Sequence, residues 1–484
     1  MTGITLLGLG PGNPDQVTRE AWEVLASTGE VWLRTRQHPT VLALPANLQI
    51  HSFDDLYENG ETFEAVYTQI VETVLELGER PQGVVYAVPG SPFVAESTGP
   101  AIVRAAQDAG VAARVVSGLS FLEPVFAALG LDPYPRLTLF DAMQLSTAHV
   151  PAFPPDMPVL VAQIYSRLVA SEVKMTLTSL YPDSHAVQLV HAAGTEEELV
   201  EQLQLYEIDR SEHIGLLTSL YVPSLEEGSS FEAFQEIVAH LRAPDGCPWD
   251  REQTHRSLRT HLLEEAYETL TAIDRDDLDG MREELGDLLL QIVLHSQIAA
   301  ESGAFTMNEV IRDIYDKIVR RHPHVFGELQ LEGVSGVLQN WEKLKEQERN
   351  DRQEAKGILD GVPQAFPALS QAQEYQDRAA RVGFDWPEIE GVLDKIAEEV
   401  LEIKAASNDD QLEAEIGDLL FVLVNLARWK GVDAESALRC ANTKFKGRFA
   451  YIEAHARGEG RSLSDMSLEQ MDALWEEAKR REED

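Results

Sequence analysis

The sequence predicts a multidomain chain in which an N-terminal α/β region precedes an all-α tandem repeat. Three observations predict this. Residues 1 to about 223 alternate short β-rich runs with helical runs, the rhythm of an α/β fold with much of its sheet parallel. From Phe231 onward strand-like runs nearly vanish and apolar residues fall at i, i+3, i+4 and i+7, as in Leu288, Leu289, Ile292 and Val293. The helical half then repeats itself. Glu264-Glu265-Ala-Tyr-Glu268 returns as Glu398-Glu399-Val-Leu-Glu402, and Glu284-Leu-Gly-Asp287 as Glu415-Ile-Gly-Asp418. Asn340-Trp341-Glu342-Lys343-Leu-Lys345 is echoed by Leu474-Trp475-Glu476-Glu477-Ala-Lys479, and the first and last landmarks share the offset 134 (398 − 264 and 475 − 341).

In the first half the expected strands are Ile4–Gly8, Val84–Val88, Arg114–Val116, Leu137–Phe140, Val159–Ile164, Ala186–Val190 and Ile214–Tyr221. Glu20–Ala26, Pro100–Ala109 and Glu196–Tyr206 read as helices between them. Residues 1–223 form the first expected domain. Residues 224–230, rich in Ser, Gly and Glu without apolar period, form a linker. Residues 231–350 and 363–484 hold the two helical repeats, parted by the charged stretch Glu346–Lys356 and by Gly357, Gly361 and Pro363.

With 484 residues the chain exceeds one ordinary core, and its formal net charge of −42 repels nucleic acid and anionic lipid. A small phosphorylated substrate remains compatible, since it needs only local positive charge and a cation. Two cysteines, Cys247 and Cys440, make no disulfide framework and point to a reducing cytoplasm. No signal peptide is expected, and no stretch reaches the roughly 18 apolar residues of a membrane span.

Each repeat carries EExxE, a spacer, then ExxD. Residues three apart share a helix face, so Glu265 with Glu268 and Glu284 with Asp287 form two pairs that an antiparallel helix packing would bring together. Asp274, Asp276, Asp277, Asp279 and Gly280 suit the intervening turn. Four facing carboxylates repel, and a hard divalent cation with oxygen ligands relieves that repulsion; the absence of thiol and imidazole argues against zinc. Gly286 and Gly417, repeated inside the second helix, predict close helix approach at the site. A basic helix follows each cluster, with Lys317, Arg320 and Arg321 first and Lys444, Lys446 and Arg448 second, suited to phosphate oxygens. His322-Pro323-His324 reads as a helix-ending turn.

Together Gly246–Asp250 (GCPWD), both carboxylate clusters, Arg320–Gly327 (RRHPHVFG) and Gly383–Trp386 (GFDW) resemble the MazG family over about 250 residues. The resemblance implies a homodimeric helical enzyme that hydrolyses nucleoside triphosphates to monophosphate and pyrophosphate with Mg²⁺ or Mn²⁺. Carried over by motif, the metal ligands would be Glu265, Glu268, Glu284 and Asp287, then Glu399, Glu402, Glu415 and Asp418. Glu264 and Glu398 would support these ligands or serve as the base for the attacking water. Lys444 and Arg448 match the family's KFxxRF pattern for the phosphates; the first repeat departs from it but offers Lys317 and Arg321.

The first half offers Gly8-Leu-Gly10-Pro11-Gly12 after a strand, Tyr86-Ala-Val-Pro89-Gly90-Ser91-Pro92 at a second strand end and Val115-Val116-Ser117-Gly118 at a third. Ligands of open α/β sheets bind outside the carboxyl ends of strands. In this order the motifs resemble the tetrapyrrole (uroporphyrin/precorrin) methylases, which implies two α/β lobes binding S-adenosylmethionine, with Gly8, Gly10, Pro89, Gly90 and Ser117 on the cofactor side; Ser91 stands where many members carry Asp. Three readings follow. The chain is a bifunctional enzyme, or a methyltransferase regulated by its MazG half, or a pyrophosphohydrolase whose first half is a catalytically silent binding module.

Overall fold

The β-rich runs of the first half build two five-stranded sheets, one in each lobe of the computed structural model. Strands Ile4–Gly8 (β1), Glu30–Leu33 (β2), Gln49–Ser52 (β3), Val84–Val88 (β4) and Ala113–Val116 (β5) pair in parallel in the order β3-β2-β4-β1-β5. The central strands β1 and β4 are buried at every position, which explains why their sequences are continuously apolar rather than alternating. Helix α1 (Arg19–Ser27), capped by Thr18, covers one face, where Leu7, Val24, Val31 and Val85 share a core. Leu6, Ile70, Tyr86 and Ile102 form the core on the other face, with helices α2 (Phe63–Gly78) and α3 (Thr98–Ala109).

The second sheet runs β6 (Thr138–Asp141), β7 (Val159–Ala162), β10 (Thr218–Val222), β8 (Ala186–His191), β9 (Leu199–Gln204). Only β6 and β7 are parallel; the other pairings are antiparallel. The expectation of a helix over Glu196–Tyr206 is therefore corrected. Leu199–Gln204 is a strand, and a 3₁₀ turn over Leu205–Arg210 follows. The spacing of Leu199, Leu203 and Tyr206 imitates a helix, but six-residue pairing with β8, from Ala186 opposite Gln204 to His191 opposite Leu199, prevails over local preference. The short connection from β8 to β9 also dictates an antiparallel pair, since a parallel one needs a longer crossover.

The chain divides into two compact units, Met1–His240 and Leu241–Asp484. Residues 3–60, 62–331 and 357–483 are described, together with 333, 334, 336, 337, 340, 341 and 344. The charged stretch Glu346–Lys356, and Glu342, Lys343 and Lys345 of the repeated Trp motif, lie outside them. After helix α4 (Phe231–Arg242), the helical unit is built from two hairpins. In the first, α5 (Arg259–Asp274) packs on α6 (Leu278–Glu301); in the second, α9 (Ile389–Ala405) packs on α10 (Asp409–Trp429), and α8 (Ala368–Arg381) packs on α10. The acidic spacer is the predicted turn, and Asp277 caps α6 by accepting from the Gly280 N–H at 3.0 Å. Asn408 caps α10 in the same way through the Gln411 N–H at 2.9 Å. The basic helices are α7 (Met307–Arg321), opened by a Thr306–Glu309 capping box, and α11 (Ala434–Gly458), capped by Asp433; α12 (Leu468–Glu483) packs on α11. Helix α7 ends at Arg321 and a four-residue turn of helix begins at Pro323, so the His-Pro-His segment breaks the helix as its proline predicts.

Candidate functional sites

Helix hairpin α5–α6 brings Glu265, Glu268 and Glu284 together, with one carboxylate oxygen from each lying within 4.8 Å of the others. Hairpin α9–α10 does the same for Glu399, Glu415 and Asp418. The fourth carboxylate of each predicted set, Asp287 in the first and Glu402 in the second, lies outside the tight group but close enough to act on it. Partial burial, then the charges of Asp287, Glu268, Glu264 and Glu284, push the Glu265 carboxyl above its usual range. Glu284 is raised by burial and by Glu268, and Glu415 by burial and by Glu402, Glu399 and Asp418. Each cluster is therefore an array of oxygen donors in electrostatic conflict.

A cation fits this conflict on an observation independent of charge counting. Glu399 is 2% exposed and its Oε2 is buried without a hydrogen-bond partner, a costly state for a carboxylate oxygen. The donor set is all oxygen, which suits Mg²⁺ or Mn²⁺. Glu264 and Glu398 sit on the exposed side of their helices. Glu264 faces His261 at 3.7 Å, and Glu398 receives Lys395 Nζ at 2.9 Å. Lys395 also reaches Glu399 at 2.8 Å, and these two carboxylates raise its pKa above the usual lysine range. The sequence reading missed Lys395. The available signal was a basic residue three and four positions ahead of a Glu-Glu pair, with His261 in the matching place of the first repeat (395 − 261 is again 134).

The expectation for Gly286 and Gly417 is corrected. A Cβ built on either glycine meets nothing within 4 Å, so neither marks a close helix approach within this chain. The basic helices are present, with Lys317 and Lys444 exposed and Arg321 and Arg448 half-buried one turn later. Each arginine lies over a tryptophan of the repeated motif: Arg321 is 5.8 Å from the Trp341 ring centroid and Arg448 is 5.4 Å from that of Trp475. The tryptophans, read in the sequence only as landmarks of the repeat, thus lie against the arginines at matching positions of the two repeats.

In the first unit the three glycine-bearing motifs meet because β1 lies between β4 and β5. Gly10 and Gly90 form a bridge, the Gly90 N–H donating to the Gly10 carbonyl at 2.8 Å and the Gly10 N–H to the Gly90 carbonyl at 3.2 Å. A Cβ on Gly8 would lie 2.5 Å from the Gly90 carbonyl oxygen and 2.7 Å from Gly118 Cα, so glycine is required where the strand ends converge. Ser117 accepts from the Thr18 hydroxyl through its carbonyl at 3.1 Å. A cavity of about 490 Å³ opens beside these loops, with Pro11, Pro89 and Gly90 in its lining. Of the five expected cofactor-side residues, Pro89 and Gly90 line it, while Gly8, Gly10 and Ser117 are not in its lining and belong to the converging strand ends. The cavity also holds Arg34 and His38, which the sequence reading did not single out.

The family model described as the MazG nucleotide pyrophosphohydrolase domain matches residues 253–326 and 388–451, and that of the tetrapyrrole (corrin/porphyrin) methylases matches residues 3–209. The uncharacterized protein YabN of Bacillus subtilis is 42% identical over 488 residues, covering 99% of each chain. The chain belongs to the MazG family, in its fusion with a tetrapyrrole methylase domain. Its MazG half alone is 47% identical over 254 residues to the Thermotoga maritima nucleoside triphosphate pyrophosphohydrolase/pyrophosphatase MazG, covering 52% of this chain and 97% of that one. It is 45% identical over 254 residues to the nucleoside triphosphate pyrophosphohydrolase of Escherichia coli, covering 51% and 96%. The two stretches matched by the MazG model contain both carboxylate clusters and the basic residues Lys317, Arg321, Lys444 and Arg448. Among the described residues, no helix is long and apolar enough to cross a membrane.

Proposed function

We propose that the MazG half hydrolyses nucleoside triphosphates to nucleoside monophosphate and pyrophosphate, holding Mg²⁺ or Mn²⁺ on Glu265, Glu268, Glu284 and Asp287 and on Glu399, Glu402, Glu415 and Asp418. The observation that carries this reading is the pair of convergent carboxylate groups on matching hairpins. When bound, the ion screens the triphosphate and stabilises charge building on the leaving pyrophosphate. The remaining tasks belong to the chain. Glu264 or Glu398 orients and deprotonates the attacking water. Lys444 and Arg448 bind phosphate oxygens, as Lys317 and Arg321 do in the first repeat, and Trp475 and Trp341 fix the arginine planes. Lys395, bridging Glu398 and Glu399, is poised to exchange a carboxylate for a phosphate oxygen when substrate arrives. The second repeat does most of the work, because Lys444 and Arg448 lie well inside a 25-residue helix whereas Arg321 ends its own.

The protein acts as a homodimer in the cytoplasm. Many large apolar side chains of the paired helices stay exposed within one chain, among them Leu285, Leu289, Ile292, Ile416, Leu420 and Leu423, which favours a partner helix surface. The first unit binds S-adenosylmethionine in the 490 Å³ cavity and transfers its methyl group; the proximity of Pro89, Gly90 and the Gly10 bridge to that cavity supports this. A screen of canonical and damaged nucleoside triphosphates, with Mg²⁺ and with EDTA, tests the main activity. Pyrophosphate release that requires the metal is expected; release of orthophosphate sinks the assignment.

A further inference from the structure

The lining of the N-terminal cavity has a charge pattern that constrains what is methylated there. Part of the lining is the loop region of Pro89 and Gly90. Another part comes from the segment after β2 and the short helix Asp54–Asn59, and it contributes Arg34, His38, Asp54, Tyr57 and Glu58. Among the described residues of this lining, Arg34 is the single Lys or Arg. Its guanidinium is already committed on three sides. Nη1 donates to Glu96 Oε2 at 2.5 Å, Nε to the Tyr57 hydroxyl at 2.9 Å and Nη2 to the Tyr67 hydroxyl at 3.3 Å. The Glu96 side chain is 1% exposed and also accepts from the Thr98 N–H and hydroxyl, so it is fixed in place as the counter-charge. Arg34 therefore brings no net charge to a ligand.

His38 adds none either. Burial pushes its imidazole down to about 4, and it stays neutral near physiological pH. Asp54 has a carboxyl held below its usual range, because hydrogen bonds from Thr35, the Arg36 N–H and Ser52, together with the nearby Arg36 charge, more than offset its partial burial. Arg36 lies beside it but outside the lining, donating to Ser52 Oγ and the Ile50 carbonyl. Glu58 is exposed and adds a second carboxylate to the lining. The lining of the cavity thus presents two carboxylates and neutral hydrogen-bonding groups, with no spare guanidinium or ammonium.

We propose that the acceptor bound here is neutral or cationic, an amine- or hydroxyl-bearing molecule, and not a carboxylate-fringed tetrapyrrole of the kind for which the methylase family is named. Recognition of carboxylates calls for forked Arg or Lys donors, and a polyanion brought against the carboxylates of Asp54 and Glu58 is both repelled and desolvated. The inference rests on the reading that this cavity binds S-adenosylmethionine. In the transfer, the acceptor X–CH₃ bond forms as the S–CH₃ bond breaks, its electron pair stays on the resulting thioether, and the X–H proton passes to water.

The test uses the full chain saturated with S-adenosylhomocysteine, with binding followed by calorimetry, and then titrated with uroporphyrin as the carboxylate-fringed probe. The expected result is a cofactor heat, no saturable uroporphyrin binding in the micromolar range, and a gain of at least about tenfold in uroporphyrin affinity in Glu58→Lys. Asp54→Asn is the second variant and is expected to shift affinity in the same direction. Saturable micromolar binding of uroporphyrin to the wild-type chain overturns the inference, as does the absence of any gain in both variants. Failure of S-adenosylhomocysteine to bind the wild-type chain removes the cofactor reading and this inference with it. Cofactor binding combined with tight uroporphyrin binding removes the inference alone.

Discussion

Two kinds of charged residue behave oppositely in this chain, and mutation separates them. Arg34 and Glu96 form a hydrogen-bonded pair in which Glu96 is buried and Arg34 half-buried, and removing Glu96 leaves the guanidinium without its counter-charge. Glu96→Ala is expected to cost about 3–5 kcal/mol in a urea titration. A loss below about 1 kcal/mol would show that water replaces the missing partner. The clustered carboxylates of the helical half are in conflict by themselves. Glu265, Glu284 and Glu415 have raised pKa values in the folded chain, so the fold binds protons there more readily than the unfolded chain does. The contribution of these three groups to stability in EDTA is then greatest at low pH and falls as pH rises through the carboxylate range, so replacing Glu265 by Gln flattens that fall. Adding Mg²⁺ at neutral pH is expected to raise Tm, since the ion binds the folded state. Thermal melts at several pH values, with and without Mg²⁺, check both signs, and a Tm that ignores the metal counts against the site. For catalysis, Glu402→Gln is expected to lower kcat by orders of magnitude and Glu268→Gln by less. Equal losses would mean two equivalent sites.

At the scale of single elements, the two hairpins are the devices that convert sequence spacing into chemistry. EExxE places its acids one turn apart on α5 or α9, ExxD does so on α6 or α10, and capped turns at Asp277 and Asn408 fold one pair back onto the other. Gly286 and Gly417 gain no packing for their flexibility within the chain. Gly286→Ala is therefore expected to stabilise the monomeric helical unit by up to about 1 kcal/mol through helix propensity. Denaturant unfolding measures this, and a destabilisation in the assembled protein would place a partner helix against that glycine.

For the whole molecule, the two units differ in how they bury apolar surface. The first encloses extensive cores on both faces of its first sheet and around its second. Among the described residues of the helical unit the buried apolar residues are fewer and more scattered, while Leu289, Ile292, Leu420 and Phe421 remain between 38% and 50% exposed on helices that carry the clusters. Residues 231–484 are expected to fold alone and to elute as a dimer in light scattering. A well-folded monomer would argue that the carboxylate sites are complete within one chain. Calorimetry on residues 1–223 with S-adenosylmethionine addresses the other half in the same way.

Much of the candidate chemistry is legible in the sequence alone. Helical period, the doubled EExxE and ExxD spacing, the basic helices and the glycine-bearing strand ends are local patterns, and local geometry translates them directly into shared faces and converging loops. The sequence therefore determined the two architectures, the repeat and, of the four carboxylates expected in each cluster, the three that converge. It misread Glu196–Tyr206 because pairing with β8 is non-local, and non-local pairing overrides a helical rhythm. It overlooked Lys395 because an ion pair one turn ahead of two glutamates has the same pattern as ordinary surface salt bridging until Glu399 is seen to be buried. The roles of Trp341 and Trp475, the open space at Gly286 and Gly417, and the neutralisation of Arg34 by Glu96 depend on residues 20 or more positions apart, or on space that no residue fills. Only the tertiary structure decided these, because burial and charge compensation are properties of the packed chain and not of its order.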